Sequence, residues 1–539
     1  MQSAIRVRAR RIGHLIVARE AAWSVAACAA VFGISGLSGC AAPEGQPARV
    51  SAAAPVASRA DPVEEYHWLN KLTWGANSTV FEKVGAEGAQ AYLDRQLRAR
   101  VSRLPDPLQS QVDSMTITQR PLEQLVQEME QRRKAADSIS NDDEKKAAQQ
   151  AYQQEMNRLA REAATRHVLR ALHSPNQVHE QMAWFWLNHF SVHQNKSNLR
   201  AIVGDYEEAA LRPHALGKFR DLLGAVVLHP AMLRYLDNEQ NAAGRINENF
   251  ARELMELHTL GVDGGYAQRD VQELARVLTG VGINLAPGIP NLRKDLQSYY
   301  VRRGLFEFNP ARHDFGEKQL MGLPIRGRGL AELDEALDRL ARNSATARFI
   351  SRKLAIYWLA DDPSAPLVER MAQTFLRTDG NIADTLRALF RSPDFNDVRN
   401  RKFKDPMRYV VSSVRLAYDD KPILNVGPIL NWLNRMGEPL YGRATPDGYS
   451  LQESAWASSG QMTTRFEIAK AIGSGNAGLF KTEGPQPQDR PAFPQLANAL
   501  YYQAIGKTLS PATKDALDRA GSPQEWNTFL LSSPELMYR

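Results

Sequence analysis

From Tyr66 onward, apolar residues recur at three- and four-residue intervals along most of the chain. That is the period of a helix with one buried face. The runs Glu82–Leu97, Pro121–Arg132, Asp143–Leu172, Val178–Phe190 and Leu216–Val227 read this way. So do Leu330–Leu340, Ala345–Leu359, Pro366–Thr378, Ile382–Phe390, Pro406–Tyr418 and Pro494–Ala504. Within residues 120–172 the polar positions are Gln, Glu, Lys and Arg, with a break at Ser138–Asn141, which predicts a long solvated helical hairpin. Three helices are expected to end in Ser-Pro corners, at Ser174-Pro175, Ser392-Pro393 and Ser533-Pro534, where serine caps the next helix and proline suits its first turn. Strand signals are sparse. Phe306-Glu307-Phe308 and Leu320–Ile325 flank a polar loop, so at most a small β-hairpin is expected near 305–325. Residues 281–304 and 472–493, punctuated by glycine and proline, read as surface loops. The expectation is an all-α, mainly helical fold, a single large multi-helix domain over residues 62–539.

The N-terminus breaks the pattern. A segment with arginines at 6, 8, 10 and 11 precedes the apolar run Ala21–Leu37, which ends in Leu37-Ser38-Gly39-Cys40. Basic, apolar and small-residue parts in that order make a secretory signal. Cysteine after Leu-Ser-Gly resembles the bacterial lipobox, which implies cleavage before Cys40 and a lipid on its sulfur. Residues 1–39 are then a signal peptide and 40–61, rich in Ala, Pro and Ser, a flexible tether. Ala41 after the cysteine points to the outer membrane. The expected location is exported and lipid-anchored, facing the periplasm or the cell surface, with the membrane reached through Cys40. Cys28 and Cys40 are the two cysteines of the sequence, so the mature fold relies on packing rather than on disulfides.

Charge then changes little. The formal net charge is +7, but residues 1–40 hold five arginines and one glutamate. That leaves 62 basic and 59 acidic residues, a net of +3, too small and too dispersed to argue for a nucleic-acid partner.

Candidate chemistry concentrates in Asn247–Gly280, which reads as helix, glycine turn, helix. In the helix Glu248–Leu260, Phe250, Ala251, Leu254, Met255 and Leu257 share one face, with His258 on the same side. Glu248, Asn249, Arg252, Glu253 and Glu256 form a polar arc opposite. Glu248, Arg252 and Glu256 are four apart, so one arginine can bridge two carboxylates. The arc is either a cleft lining or an exposed ion-pair ladder of small energetic weight. Asp270 falls in the first turn of the next helix, where an acid is favoured by the backbone dipole. A second cluster is the buried helix ending at Asn188 and His189, whose polar groups need partners. His189 and His193 are four apart, but the intervening glutamate of a zinc-protease helix is missing and no third ligand stands near, so no metal is assigned. A third is His313-Asp314 in a polar loop, where histidine beside an acid suits acid–base work. A fourth is Gly437–Gly442 with Pro446-Asp447-Gly448-Tyr449, an aromatic and glycine-rich loop suited to roofing a pocket. No Gly-x-Ser-x-Gly elbow, nucleophilic cysteine or dinucleotide fingerprint occurs, and no cofactor is expected.

Several long segments together carry a resemblance. Trp184-Phe185-Trp186-Leu187-Asn188-His189-Phe190, Gly204-Asp205-Tyr206-Glu207, Leu211–Leu223, Pro230–Asn238, Asn247–Gly280, Arg348-Phe349-Ile350 and the Gly437–Gly442 loop are similar to the bacterial domain-of-unknown-function 1800 family. The resemblance spans about residues 66–539. It implies a large, mostly helical, exported protein. Genes of that family often accompany those of a second exported family that resembles alkaline phosphatases and sulfatases, so a phosphatase- or sulfatase-like partner is implied. It transfers no catalytic residues. The sequence departs from the family pattern at Ala267 (usually threonine), Val281 (usually tryptophan) and His193.

Two functions are carried forward. One is a cell-envelope binding or assembly protein working with an exported partner. The other is an envelope hydrolase of glycans or of phosphate or sulfate esters, drawing on His189, Glu248, Arg252, Glu253, Glu256, His313 and Asp314. Asn188, Asn249, His258 and Asp270 are the candidate binding residues.

Overall fold

The computed structural model describes residues 61–286, 288–397, 401–481 and 493–539. The expected signal segment, Cys40 and nearly all of the expected tether lie outside them. Helices hold 61% of the described residues and strands 4%, so the fold is mainly all-α. The described residues form one compact unit. Among the described residues, no helix is long and apolar enough to cross a membrane.

The helical hairpin is built as its composition dictates. Leu122–Asp137 and Asp142–His173 pack antiparallel, and Asn141 caps the second helix by accepting from the Asp143 and Glu144 amides. The N-terminal half of the long helix is solvated, and burial starts at Met156. From there the helix enters the main core, and Gln177–His189 follows after the Ser174-Pro175 corner. Ser392 also caps as expected, accepting from the Phe395 amide at 3.2 Å.

The strands differ in detail from the sequence reading. Phe306–Phe308 (β3) is a strand, but it pairs with Val281–Ile283 (β1) and Val301–Arg303 (β2) in a three-stranded antiparallel sheet, β1-β3-β2. Both partners come from the stretch read as a loop. Gln319–Leu320 (β4) and Leu323–Pro324 (β5) make a separate two-stranded hairpin. Three-residue strands are too short for a period of two to be visible. The helix at 494–504 is also displaced, to a π-helical turn at Tyr501–Ile505.

Candidate functional site

Two stretches distant in sequence meet at one cavity. The helix Gln177–His189 is buried along nearly its whole length, which leaves Asn188 and His189 at its C-terminal end in need of polar partners. Asn188 finds them in the loop after Gly442. Its amide nitrogen donates to the Tyr449 carbonyl at 2.9 Å, and its oxygen accepts from the Tyr449 N–H at 2.6 Å. Gly448 permits this approach. Its φ is 76°, and a Cβ there would lie against the Asn188 carbonyl oxygen, so only glycine fits without a shift. The Tyr449 hydroxyl donates to the Pro439 carbonyl at 2.7 Å, and Arg443 pairs with Asp447 at 2.8 Å. These contacts fasten the loop across the helix end.

His189 is buried, stacked parallel to Phe185 and edge-on to Phe190. Its Nε2 lies 3.1 Å from the His258 carbonyl oxygen. A carbonyl only accepts, so the ring proton is on Nε2 and Nδ1 is the acceptor. Lys353 Nζ donates to that Nδ1 at 2.8 Å. Burial, and then the Lys353 charge, hold His189 well below the usual histidine range, so the ring is neutral. Lys353 comes from the helix Ser344–Trp358. Phe349 and Tyr357 stand one turn to either side of it, on the same face, and its ammonium lies 5.5 Å from the Phe349 ring centre. Burial lowers the Lys353 pKa to about 8, partly offset by Asp447. Lys353 is therefore still charged at neutral pH.

Lys353, His189, Arg443, Asp447 and Tyr449 line a cavity of about 290 Å³, close to the lower end of the range for small-ligand pockets. Two cations face it with one carboxylate, and that carboxylate is engaged by Arg443. The charges lining the cavity sum to net positive, and the Lys353 ammonium, which spends one donor on His189, has others for an acidic group.

The other candidates fall in different places. His258 is buried against Phe190 and His189, with neither ring nitrogen hydrogen-bonded among the described residues, and burial lowers its pKa to about 3. The helix of the polar arc is shorter than expected, Asn249–Glu256. Arg252 pairs with Glu248 at 3.2 Å and also donates to Gln268 at 2.9 Å. The ladder to Glu256 does not form, because Gln268 of the next helix takes that role. Burial and the neighbouring Glu256 push the Glu253 carboxyl up, and Asp447 adds to the shift, so Glu253 lies within electrostatic reach of the cavity. Asn249 donates to the Leu236 carbonyl at 3.3 Å. Asp270 accepts from the Ala267 amide at 2.8 Å and from the Met321 amide at 2.6 Å. It completes half of a capping box whose other half Ala267, lacking an oxygen, cannot supply.

His313 and Asp314 form a separate buried knot. His313 Nδ1 donates to the Thr279 carbonyl at 2.8 Å, and Nε2 lies 3.3 Å from Glu332, which Lys318 also pairs at 2.7 Å. Asp314 pairs with Arg276 at 2.8 Å, and this hydrogen bond brings its pKa down to about 2. These groups pair with one another and tie the end of the helix Gln268–Val277 to the helix beginning at Leu330. The His189–His193 spacing loses its meaning as well, because the helix ends at His189. Among the described residues no group of three or more His, Cys, Asp and Glu is placed to hold a metal.

The structure thus brings together Asn188, His189 and His258, sets Glu253 nearby, and leaves Glu248, Arg252, His313 and Asp314 in contacts of their own. Lys353 is the central residue that the sequence reading passed over. A larger, more open hollow of about 370 Å³ lies beside His229. That ring is committed, accepting from the Ala231 amide and facing Asp205 at 3.0 Å.

Residues 67–538 match the family described as "protein of unknown function (DUF1800)". The chain belongs to this family. No curated protein and no solved structure matches it. The DUF1800 match spans both the helix ending at His189 and the loop at Asp447, so the cavity is built wholly from the family's own region rather than from an appended segment.

Proposed function

We propose that the protein is a lipid-anchored binding protein of the bacterial cell envelope, and that its cavity receives an acidic group presented by an exported partner protein. The observation that carries this reading is the Lys353 ammonium facing the cavity, with Asp447 already held by Arg443. The lipobox ending at Cys40 supports the location. The genes that accompany the family make a phosphatase- or sulfatase-like protein the natural class of partner.

The test is recovery of the tagged chain from solubilised membranes. An exported protein is expected to co-purify with the wild type and to be depleted about tenfold or more with Lys353→Met (about 1.4 kcal/mol or more). Its retention has a defined pH sense. Lys353 is charged below a pKa of about 8, so binding holds at neutral pH and falls as pH rises through that value. Recovery as a free monomer, or equal yields from wild type and variant, would sink the proposal.

The hydrolase reading keeps one observation in its favour. A neutral imidazole beside a lysine of lowered pKa is a usable acid–base pair. Turnover of aryl phosphates, sulfates or glycosides that disappears in His189→Gln would favour it over binding alone.

A further inference from the structure

A second group of cations lies deeper in the core. Lys404, Arg408, Arg465 and Arg539 are all at most 4% exposed. The three guanidinium groups are met by carbonyl oxygens and aromatic faces. Arg408 donates to the Thr73 carbonyl at 2.8 Å and lies 5.1 Å over Trp74. Arg465 donates to the Lys404 carbonyl at 2.7 Å and sits 4.7 Å from both Phe403 and Tyr409. Arg539 donates to the Tyr357 carbonyl and lies 5.2 Å from that ring. None of these contacts brings a full negative charge, and the Nε–H of each arginine has no acceptor among the described residues.

Two carboxylates come near. Asp405 caps the helix Pro406–Tyr418 by accepting from the Arg408 amide at 2.7 Å. Glu438 is buried and accepts from the Met407 amide at 2.8 Å. Burial, and then Asp405, push its carboxyl up toward the neutral form. Burial and the three neighbouring guanidinium groups lower the Lys404 pKa to about 7, so three buried guanidinium groups, joined by Lys404 when it is protonated, face little negative side-chain charge among the described residues. Uncompensated charge is costly to bury, which favours an anion held beside the cluster.

Lys404 shows where. Its ammonium makes no hydrogen bond among the described residues, and the charges acting on it are Arg408, Arg465 and Arg539, all cations. It lines a cavity of about 10 Å³ together with Asn70, Ser412 and Ser413, room for a single water-sized particle. We propose that this cavity is a binding site for a small monovalent inorganic anion of the halide class, held by the Lys404 ammonium, with the Asn70 amide as a further donor. Chloride is the physiological member. Phosphate and sulfate are too large for the space.

The experiment uses the mature full chain. Crystals exchanged into sodium bromide are expected to show an anomalous peak within hydrogen-bond reach of Lys404 Nζ. In solution, the wild-type Tm is expected to be several degrees higher in sodium chloride than in sodium gluconate of equal ionic strength, because gluconate cannot enter, and Lys404→Met should close that gap. Bromide peaks confined to the surface, or equal wild-type Tm in the two salts, would overturn the proposal. If Lys404→Met does not fold, the two wild-type measurements decide the matter.

Discussion

Arg212 and Lys353 are both cations set against the buried helix Gln177–His189, and they are treated in opposite ways. Arg212 is fully buried and clasped by Glu180 and Glu207, with Glu208 at 3.9 Å. A π-helical turn, Tyr206–Leu211, presents the last two of these. Glu207 is further held by His167 at 3.0 Å and by the Tyr441 hydroxyl. Burial alone would raise the Glu180 carboxyl, yet Arg212 brings it below the usual range. The charge there is closed on itself. At Lys353 the hydrogen-bond partner is a neutral imidazole, and the one carboxylate acting on it is engaged elsewhere. Charge satisfied within the fold serves architecture, whereas charge left open to a cavity is available to a ligand.

The largest effect expected from this contrast is on stability. Arg212→Met strands Glu180 and Glu207 in the core, and breaking such a buried pair costs about 3–5 kcal/mol. Lys353→Met strands no carboxylate, and water in the cavity can donate to His189 in its place. It should change stability by about 1 kcal/mol or less. Urea unfolding of the two variants measures the difference. Equal losses would mean that Lys353 is a structural cation and that the contrast is false.

A smaller effect separates the loop from the helix end it covers. Gly437 and Gly448 both have φ of 76°, but a Cβ on Gly437 would meet open space while one on Gly448 would meet the Asn188 carbonyl. Gly437→Ala should therefore cost about 1–2 kcal/mol, the price of a left-handed backbone alone. Gly448→Ala should cost about 1 kcal/mol more and should also abolish partner retention by lifting Tyr449 off Asn188. If the two variants behave alike, the loop does not depend on that close approach.

Much of the frame was legible in the sequence because helices carry their period openly. The hairpin break at Ser138–Asn141 and the Ser392 cap follow directly from residue chemistry. Strands β1 and β2 were hidden because three residues show no alternation. At the site, Asn188 and His189 were visible as polar groups on an apolar helix, and the Asp447–Tyr449 loop as an ordered aromatic turn. Lys353 was not, since a lysine on a helix flank reads as solvated. The available signal was its position between Phe349 and Tyr357, one turn to either side, which places it on an aromatic face. The arc at Glu248–Glu256 had the spacing of an ion-pair ladder, but spacing could not reveal that Gln268 from the next helix would compete for Arg252.

The smallest effect tests the charge balance of the cavity most directly. Asp447 and Arg443 are both well exposed, with side-chain exposures of 51% and 38%, and such a pair contributes about 1 kcal/mol or less. Asp447→Asn should therefore leave stability nearly unchanged. It removes the carboxylate that competes for the cavity's cations, so affinity for an acidic group should rise about three- to tenfold at about pH 6. The same change has an opposite consequence at higher pH. Asp447 supports the proton on Lys353. Without it the lysine pKa falls below the wild-type value of about 8, and binding is lost at a lower pH as the ammonium deprotonates. Wild type and variant should thus give crossing pH profiles, the variant binding more tightly on the acid side and releasing earlier on the basic side. A variant that binds more weakly at every pH would instead mean that Asp447 contacts the ligand itself, and that the cavity reads a hydrogen-bond donor rather than an acid.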